Sequence, residues 1–396
     1  MKAAMHIRKP GIATVLGFTW GIIPMSYLIP GGHLVIHLVN IGMCLTHIFL
    51  RKPVTANLNS VIMLCVGAIF FTISMLGDSF GNFSAMNYVS LVAFSLNLFG
   101  VMNVINGQNY LDFSKSLFET SALTAIAYIL MVESGMMGNH YGRFYFFGDS
   151  HPNLGGEIYA IASFAGALAI RKSTFVLFCV PMIAATLYLQ SRTGTVIIFS
   201  TIVLKIFFET NASVTKKSLL LGSIALVVGL AIAILPSDWA FRLVGQVLLT
   251  EDSHRGASTG YVSGRDTQWA QAWQFFLEKP ITGWGMGLYS DDVRGAHNPV
   301  LYSLSMFGVF GVLFWVLPVT SAFKLAKNNL REFLLITPVS LMLVLNDRFM
   351  DNNTFPLLYY FYLIQLPYFG LARAGRISPK GKDLRGIRLP RIRFSV

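Results

Sequence analysis

The fold class is decided by the stretch Ile12–Leu50. It reads IATVLGFTWGIIPMSYLI over Ile12–Ile29, PGG at Pro30–Gly32 and HLVIHLVNIGMCLTHIFL over His33–Leu50, with Arg8-Lys9 before it and Arg51-Lys52 after it. Each apolar run is long enough to cross the hydrocarbon core as a helix, which takes about 17–25 residues. Pro30-Gly31-Gly32 makes the tight turn between them. The first run is too long for a signal-peptide core and no clean small-residue cleavage site follows it, so it predicts an uncleaved span. Basic residues flank both ends of this hairpin, which places both ends in the cytoplasm.

The same pattern continues down the chain. Spans are predicted near Val61–Leu76, Tyr88–Ile105, Ser116–Val132, Ile158–Ile170, Thr174–Leu189, Thr195–Phe208, Leu219–Leu235, Val300–Phe323, Phe333–Leu345 and Phe355–Phe369. The expected fold is therefore an all-α integral membrane protein of about twelve transmembrane helices with both termini inside. Residues 1–235 would hold the first nine spans, 236–297 a large outer loop, 298–371 the last three spans and 372–396 a basic cytoplasmic tail. Composition agrees. The chain is 54% hydrophobic and only 12% charged, with mean hydropathy +0.60, against roughly 25% charged in a soluble domain. Cys44, Cys65 and Cys179 all fall inside apolar spans, so neither a disulfide framework nor a zinc spacing exists.

The formal net charge of +12 invites a nucleic-acid reading, but in a membrane protein it records topology. Eight of the 30 Lys and Arg lie in the tail after Leu371, where leaflet attraction accounts for them without nucleic acid. Outside the cytoplasm fall Arg143, Arg192, Arg242, Arg255, Arg265, Lys279, Arg294 and Arg348. The positive-inside bias disfavours cations there, and arginine offers a planar fork suited to phosphate or carboxylate. Ordinary surface ion pairs remain the simpler explanation for most of them.

Chemistry concentrates between Ser263 and Gly308. Ser263 can cap a helix with apolar positions at Trp269, Ala272, Trp273, Phe276 and Leu277, ended by Pro280. Such a helix can lie on the bilayer surface or pack on the tops of the spans. Arg265 falls in its first turn, where free amides and the helix dipole already favour an anion; a salt bridge to Asp266 or a loop acid is the other reading. Arg192, in Ser191-Arg192-Thr193-Gly194, sits between two spans at the outer headgroup layer, where it either serves function or snorkels to lipid phosphate. His297 opens the tenth span. It can act as a general base, with nearby arginines keeping it neutral, or as a cap or interfacial anchor.

Four motifs in order carry a resemblance: Ser191-Arg192-Thr193-Gly194; Gly264-Arg265 with its Trp-rich helix; Lys279-Pro280-Ile281-Thr282-Gly283-Trp284-Gly285; and Ala296-His297-Asn298 with Gly308. Together they resemble the O-antigen ligase and polymerase family of bacterial lipid-linked glycan transferases, over about residues 155–325. Val196 stands where the family often has leucine four residues after the first arginine. The resemblance implies a GT-C-like membrane enzyme of the inner membrane with its site facing the periplasm. It would be an inverting, metal-independent glycosyltransferase without cofactors that moves a glycan from undecaprenyl diphosphate to an acceptor glycan lipid. Arg192 and Arg265 would clamp the diphosphate and stabilise the leaving charge, and His297 would activate the acceptor hydroxyl. Asn298, Arg143 and Trp284 are further candidates for substrate contact, and a chain-length regulator and a flippase are expected partners. The pattern Gly264-Arg265-Asp266 with Pro280–Gly285 leans toward an O-antigen or exopolysaccharide polymerase over a ligase acting on lipid A core.

Other signals carry less. His33 and His37 have a metal-pair spacing but no carboxylate or cysteine nearby, so interhelical hydrogen bonding is expected of them. Asp291-Asp292 reads as a solvated loop pair, and Asp347-Arg348 with Asp351 as a local bridge. Gly283, Gly285 and Gly287 follow a helix and no strand, which removes the nucleotide-binding reading. A transporter or flippase would place ionisable groups near the midplane; here Glu119 and Lys205 are the main ones in or near span interiors, and the arginines crowd the outer edge.

Overall fold

The computed structural model describes residues 11–50, 55–77, 85–140, 143–147, 152–209, 265–285, 298–345, 354–374 and 391–393. The helices are α1 (Ile12–Ser26), α2 (Gly32–Phe49), α3 (Leu58–Gly77), α4 (Ala85–Val104), α5 (Tyr110–Glu133), α6 (Pro152–Ala169), α7 (Lys172–Tyr188), α8 (Arg192–Glu209), α9 (Arg265–Glu278), α10 (Pro299–Phe307), α11 (Leu313–Asn328), α12 (Leu330–Leu345) and α13 (Thr354–Ala374). A 3-10 turn, Gly308–Val312, joins α10 to α11. Two short antiparallel ribbons complete the described residues: β1 (Thr55–Asn57) with β4 (Arg391–Arg393), and β2 (Asn139–His140) with β3 (Arg143–Phe144). A helix covers every predicted span whose residues are described; Leu219–Leu235 lies outside them.

The protein is a helical, multi-pass membrane protein by its apolar helices. Gly32–Phe49, Leu58–Leu76, Tyr110–Glu133 and Pro299–Asn328 are long and apolar enough to cross a bilayer. Helices suit that solvent because each closes its own backbone hydrogen bonds where lipid offers none. Burial separates the inside of the bundle from its surround. Along α13 every residue from Phe355 to Leu366 is buried; around α2, Val35, Leu38 and Val39 are exposed. The central helix is thus apolar on all sides because protein covers all sides, whereas the exposed apolar side chains of α2 have the character of a lipid-facing surface.

Small residues let helices touch through their backbones, since lipid supplies no hydrophobic drive between them. Gly17 and Gly21, four apart on α1, press against α5. A Cβ at Gly17 would collide with the carbonyl of Phe113, and one at Gly21 would lie 2.6 Å from Thr120 Cβ. Ser116 Oγ donates across the same seam to the carbonyl of Thr14 (2.8 Å). Buried polar contacts pin other helices: Ser114 and Tyr362 hydroxyls at 2.7 Å join α5 to α13, and Asn57 Nδ2 donates to Gln365 Oε1 (3.2 Å).

Helix directions give the bundle two ends. Arg331 at the start of α12 bonds Glu209 at the finish of α8, so Arg192, at the other tip of α8, shares its end with the finish of α12. Because α10 and α11 run from Pro299 down to Asn328 beside Leu330, the start of α10 lies at the Arg192 end too.

Two expectations are corrected. The tenth span is not one continuous helix: Gly308 has φ +58, and the amide of Val309 leaves the helical ladder to donate to the carbonyl of Pro280 (2.8 Å). His37 does not form the expected interhelical hydrogen bond among the described residues. His33 stacks on Tyr27 at 4.6 Å, and His37 meets the Trp20 ring edge-on at 5.2 Å, with neither ring nitrogen of His37 hydrogen-bonded among the described residues.

Substituting leucine for Gly17 or Gly21 should overpack the α1–α5 seam at a cost of about 1–3 kcal/mol each, read as a lower melting temperature in detergent. Gly42→Leu, at a glycine with nothing within 4 Å, should leave melting unchanged or raise it. Equal melting for all three variants would refute the close-packing account.

Candidate functional site

The site is assembled from two modules at the Arg192 end. In the first, α9 begins at Arg265 and runs beside α10. Ser263, the predicted cap, lies outside the described residues. Only part of the predicted apolar face turns inward. Ala272 is fully buried and Phe275 packs on the core, while Trp269, Trp273, Leu277 and Ile281 are exposed. Those four recur every fourth residue, so α9 docks on protein with one side and carries an apolar stripe on another.

The Pro-Ile-Thr-Gly-Trp-Gly segment explains itself as a strap. The amide of Trp284 donates to the carbonyl of Ser305 (3.0 Å), that of Gly285 to Met306 (2.8 Å), and that of Val309 returns to Pro280 (2.8 Å). Gly283 (φ +64) and Gly308 (φ +58) occupy backbone conformations that side chains rarely adopt, and a Cβ at either would strike the opposing backbone, at Met306 and Ile281 respectively. Trp284 closes the strap. Its Nε1 donates to the carbonyl of Phe275 (2.9 Å), and Lys279 Nζ lies 4.0 Å over its ring. Asn298 starts α10, its Oδ1 accepting from the amides of Val300 (3.0 Å) and Leu301 (3.2 Å) with Pro299 following. The helix cap is thus Asn298. His297, the preceding residue, lies outside the described residues.

The second module presents Arg192. After α7 the amide of Gln190 donates to Leu187 (2.9 Å) and that of Ser191 to Thr186 (2.9 Å), with Gln190 at φ 51. This pairing ends a helix on a left-handed residue, and it starts α8 at Arg192 without an intervening loop. Gly194 touches α6 backbone to backbone: a Cβ there would lie 2.7 Å from Gly156 Cα. Next to that contact is Glu157, buried to 1% exposure, an acid that sequence reading passed over. Its signal was its position, one residue before the predicted span Ile158–Ile170.

Arg143 belongs to the β2–β3 ribbon, paired with His140. This loop leans on the same α7–α8 turn: Phe144 meets Tyr188 at 6.2 Å, Tyr188 donates to Glu133, and Phe146 is buried against Tyr159. The structure therefore brings the backbones of Arg143 and Arg192 to one end of the bundle and sets Arg265 beside the helix that Asn298 caps. Asp291, Asp292, Asp347, Arg348 and Asp351 lie outside the described residues.

The described residues thus form a multi-pass helical bundle with Arg192 at the head of one helix and Arg265 at the head of a strapped amphipathic helix. Residues 177–316 match the family model described as O-Antigen ligase. Over that range the chain is similar to the O-antigen ligase domain, the domain of glycosyltransferases of the O-antigen ligase and polymerase type. No curated protein matches the chain. The matched range includes Arg192, Arg265, Trp284, His297, Asn298 and Gly308; Arg143 falls outside it.

Gly308→Ala should lower stability by more than the ~1–3 kcal/mol of strain expected for a side chain in this backbone conformation, because its Cβ also meets the Ile281 carbonyl. Trp284→Phe removes the indole donor from the Phe275 carbonyl, which still accepts from the Lys279 amide (3.3 Å), and should cost about 0.5–1.5 kcal/mol. Both are read as melting temperature of the purified protein, and a Trp284→Phe protein that melts like wild type would remove the indole from the strap.

Proposed function

We propose that this chain is an inverting, metal-independent glycosyltransferase that polymerises undecaprenyl-diphosphate-linked oligosaccharide repeats at the periplasmic face of the bacterial inner membrane. The observation that carries the reading is that the O-Antigen ligase match spans Arg192, Arg265 and His297 in that order, with both arginines at the first position of a helix. Free amides at a helix start and a guanidinium beside them reinforce each other toward a diphosphate.

In the proposed reaction the acceptor hydroxyl attacks the anomeric carbon from the side opposite the lipid diphosphate. The new carbon–oxygen bond forms as the bond to the phosphate oxygen breaks, which inverts the anomeric centre. His297 takes the hydroxyl proton, a contribution of about 10²–10⁴ in rate. Arg192 and Arg265 receive the charge that develops on the departing diphosphate, and fixed donors aimed at such an oxyanion act mainly in the transition state. Arg143, Asn298 and Trp284 would line the glycan path. The Oδ1 of Asn298 already caps α10, and the indole N–H of Trp284 is already bonded, so the Asn298 amide nitrogen and the Trp284 ring are what these two side chains offer a sugar. A second reading, a ligase that transfers the glycan to lipid A core, is favoured by the family description itself.

Purified protein given a defined undecaprenyl diphosphate oligosaccharide separates these readings by product size. A ladder formed without lipid A core is expected; a single transferred band that requires core would identify a ligase. Activity should persist in chelator. Arg265→Ala and His297→Ala should lose at least about 10²-fold in turnover at unchanged protein level. Loss of lipid-linked substrate transport with normal polymerisation of externally supplied substrate would replace the enzyme reading with a flippase.

A further inference from the structure

The end of the bundle opposite Arg192 holds a second charged feature that glycan transfer does not use. A cavity of about 510 Å³ opens where α6 finishes and α7, α8 and α12 have their near ends; Arg171, Lys172, Ser173, Glu209 and Arg331 line it. Its single acid is already matched. Glu209 Oε1 accepts from Lys205 Nζ at 2.8 Å and from Arg331 Nη2 at 3.0 Å. Lys205 is fully buried and also donates to the carbonyl of Ala167 (2.8 Å), so its charge sits behind the cavity wall. Arg171 and Lys172 are exposed and have no ion pair among the described residues. Four cations therefore face one carboxylate, and the surplus is positive.

The surroundings say what kind of anion fits. Leu168, Ala169 and Ile170 give the cavity an apolar wall. Beyond it, Leu177 and Val180 lie exposed on α7 at 66% and 58%, further along the same apolar helix toward the middle of the span. A ligand with a phosphate at one end and aliphatic chains at the other satisfies both halves; free phosphate satisfies only the first. Basic pockets between membrane helices at headgroup level hold anionic lipid heads by this combination.

We infer that this cavity binds the headgroup phosphate of an anionic phospholipid, with Arg171, Lys172 and Arg331 as its cationic contacts and the α7 surface beneath it receiving an acyl chain. The site is separate from the glycan-transfer centre and lies across the bundle from it.

The test uses full-length protein reconstituted with phosphatidylcholine, with and without phosphatidylglycerol, and counts retained lipid by native mass spectrometry. Wild type should keep phosphatidylglycerol in preference to phosphatidylcholine. Arg171→Gln combined with Lys172→Gln, two exposed positions whose replacement leaves the core untouched, should retain it roughly tenfold less. Lys380→Gln with Lys382→Gln, in the basic tail, should retain it as wild type does. Equal retention by all three proteins, or an equal loss in the tail variant, would overturn the site in favour of general charge attraction. Displacement of the lipid by millimolar inorganic phosphate would overturn the lipid assignment and leave a soluble phosphate as the occupant.

Discussion

Three backbone hydrogen bonds hold the candidate site together: Trp284 to Ser305, Gly285 to Met306 and Val309 to Pro280. A helix broken inside a membrane protein exposes amides that lipid cannot satisfy, and a buried unsatisfied group costs about 1–3 kcal/mol. The segment after α9 supplies a partner at the break, so the amphipathic helix and the split tenth span require one another. The glycines follow from that contact: two backbones this close leave no room for a Cβ at Gly283 or Gly308. The finish of α9 is thus tied by backbone hydrogen bonds to the break in the tenth span, fifteen or more residues after Arg265.

The rest of the bundle brings that strapped element and Arg192 to one end. Gly156 and Gly194 allow α8 to start against α6, and the left-handed Gln190 removes any slack before Arg192. Across the interior, α13 is covered on every side by other helices and tied to α5 by Ser114 and Tyr362. A helix so enclosed cannot shift alone, because interiors packed at this density transmit displacement to their neighbours.

Sequence periodicity and length were enough to place the helices, since apolar runs of spanning length have few alternatives in lipid. The joints were less legible. Gly308 read as a motif residue inside a continuous span, because the hydrogen bond that breaks the helix comes from Pro280, far away in the chain. Asn298 read as a substrate contact, and Asn before Pro299 was a cap signal available from sequence alone. The Gly17-to-Gly21 spacing was equally visible, but only the partner helix shows that it faces α5. Glu157 was passed over because burial of an acid depends on what packs around it. The order of Arg192, Arg265 and His297 was legible, and it falls inside the family match.

The exposed row Trp269, Trp273, Leu277 and Ile281 has a mechanical consequence. On the membrane reading this row lies against the acyl-chain boundary while the strap holds the finish of α9, so the height of the helix start responds to the local thickness of the bilayer. Arg192 takes its height from the rigid α6–α8 seam instead. Lipid composition would then set the vertical offset between the starts of α9 and α8, a spacing to which bilayer thickness contributes beside the protein's own contacts.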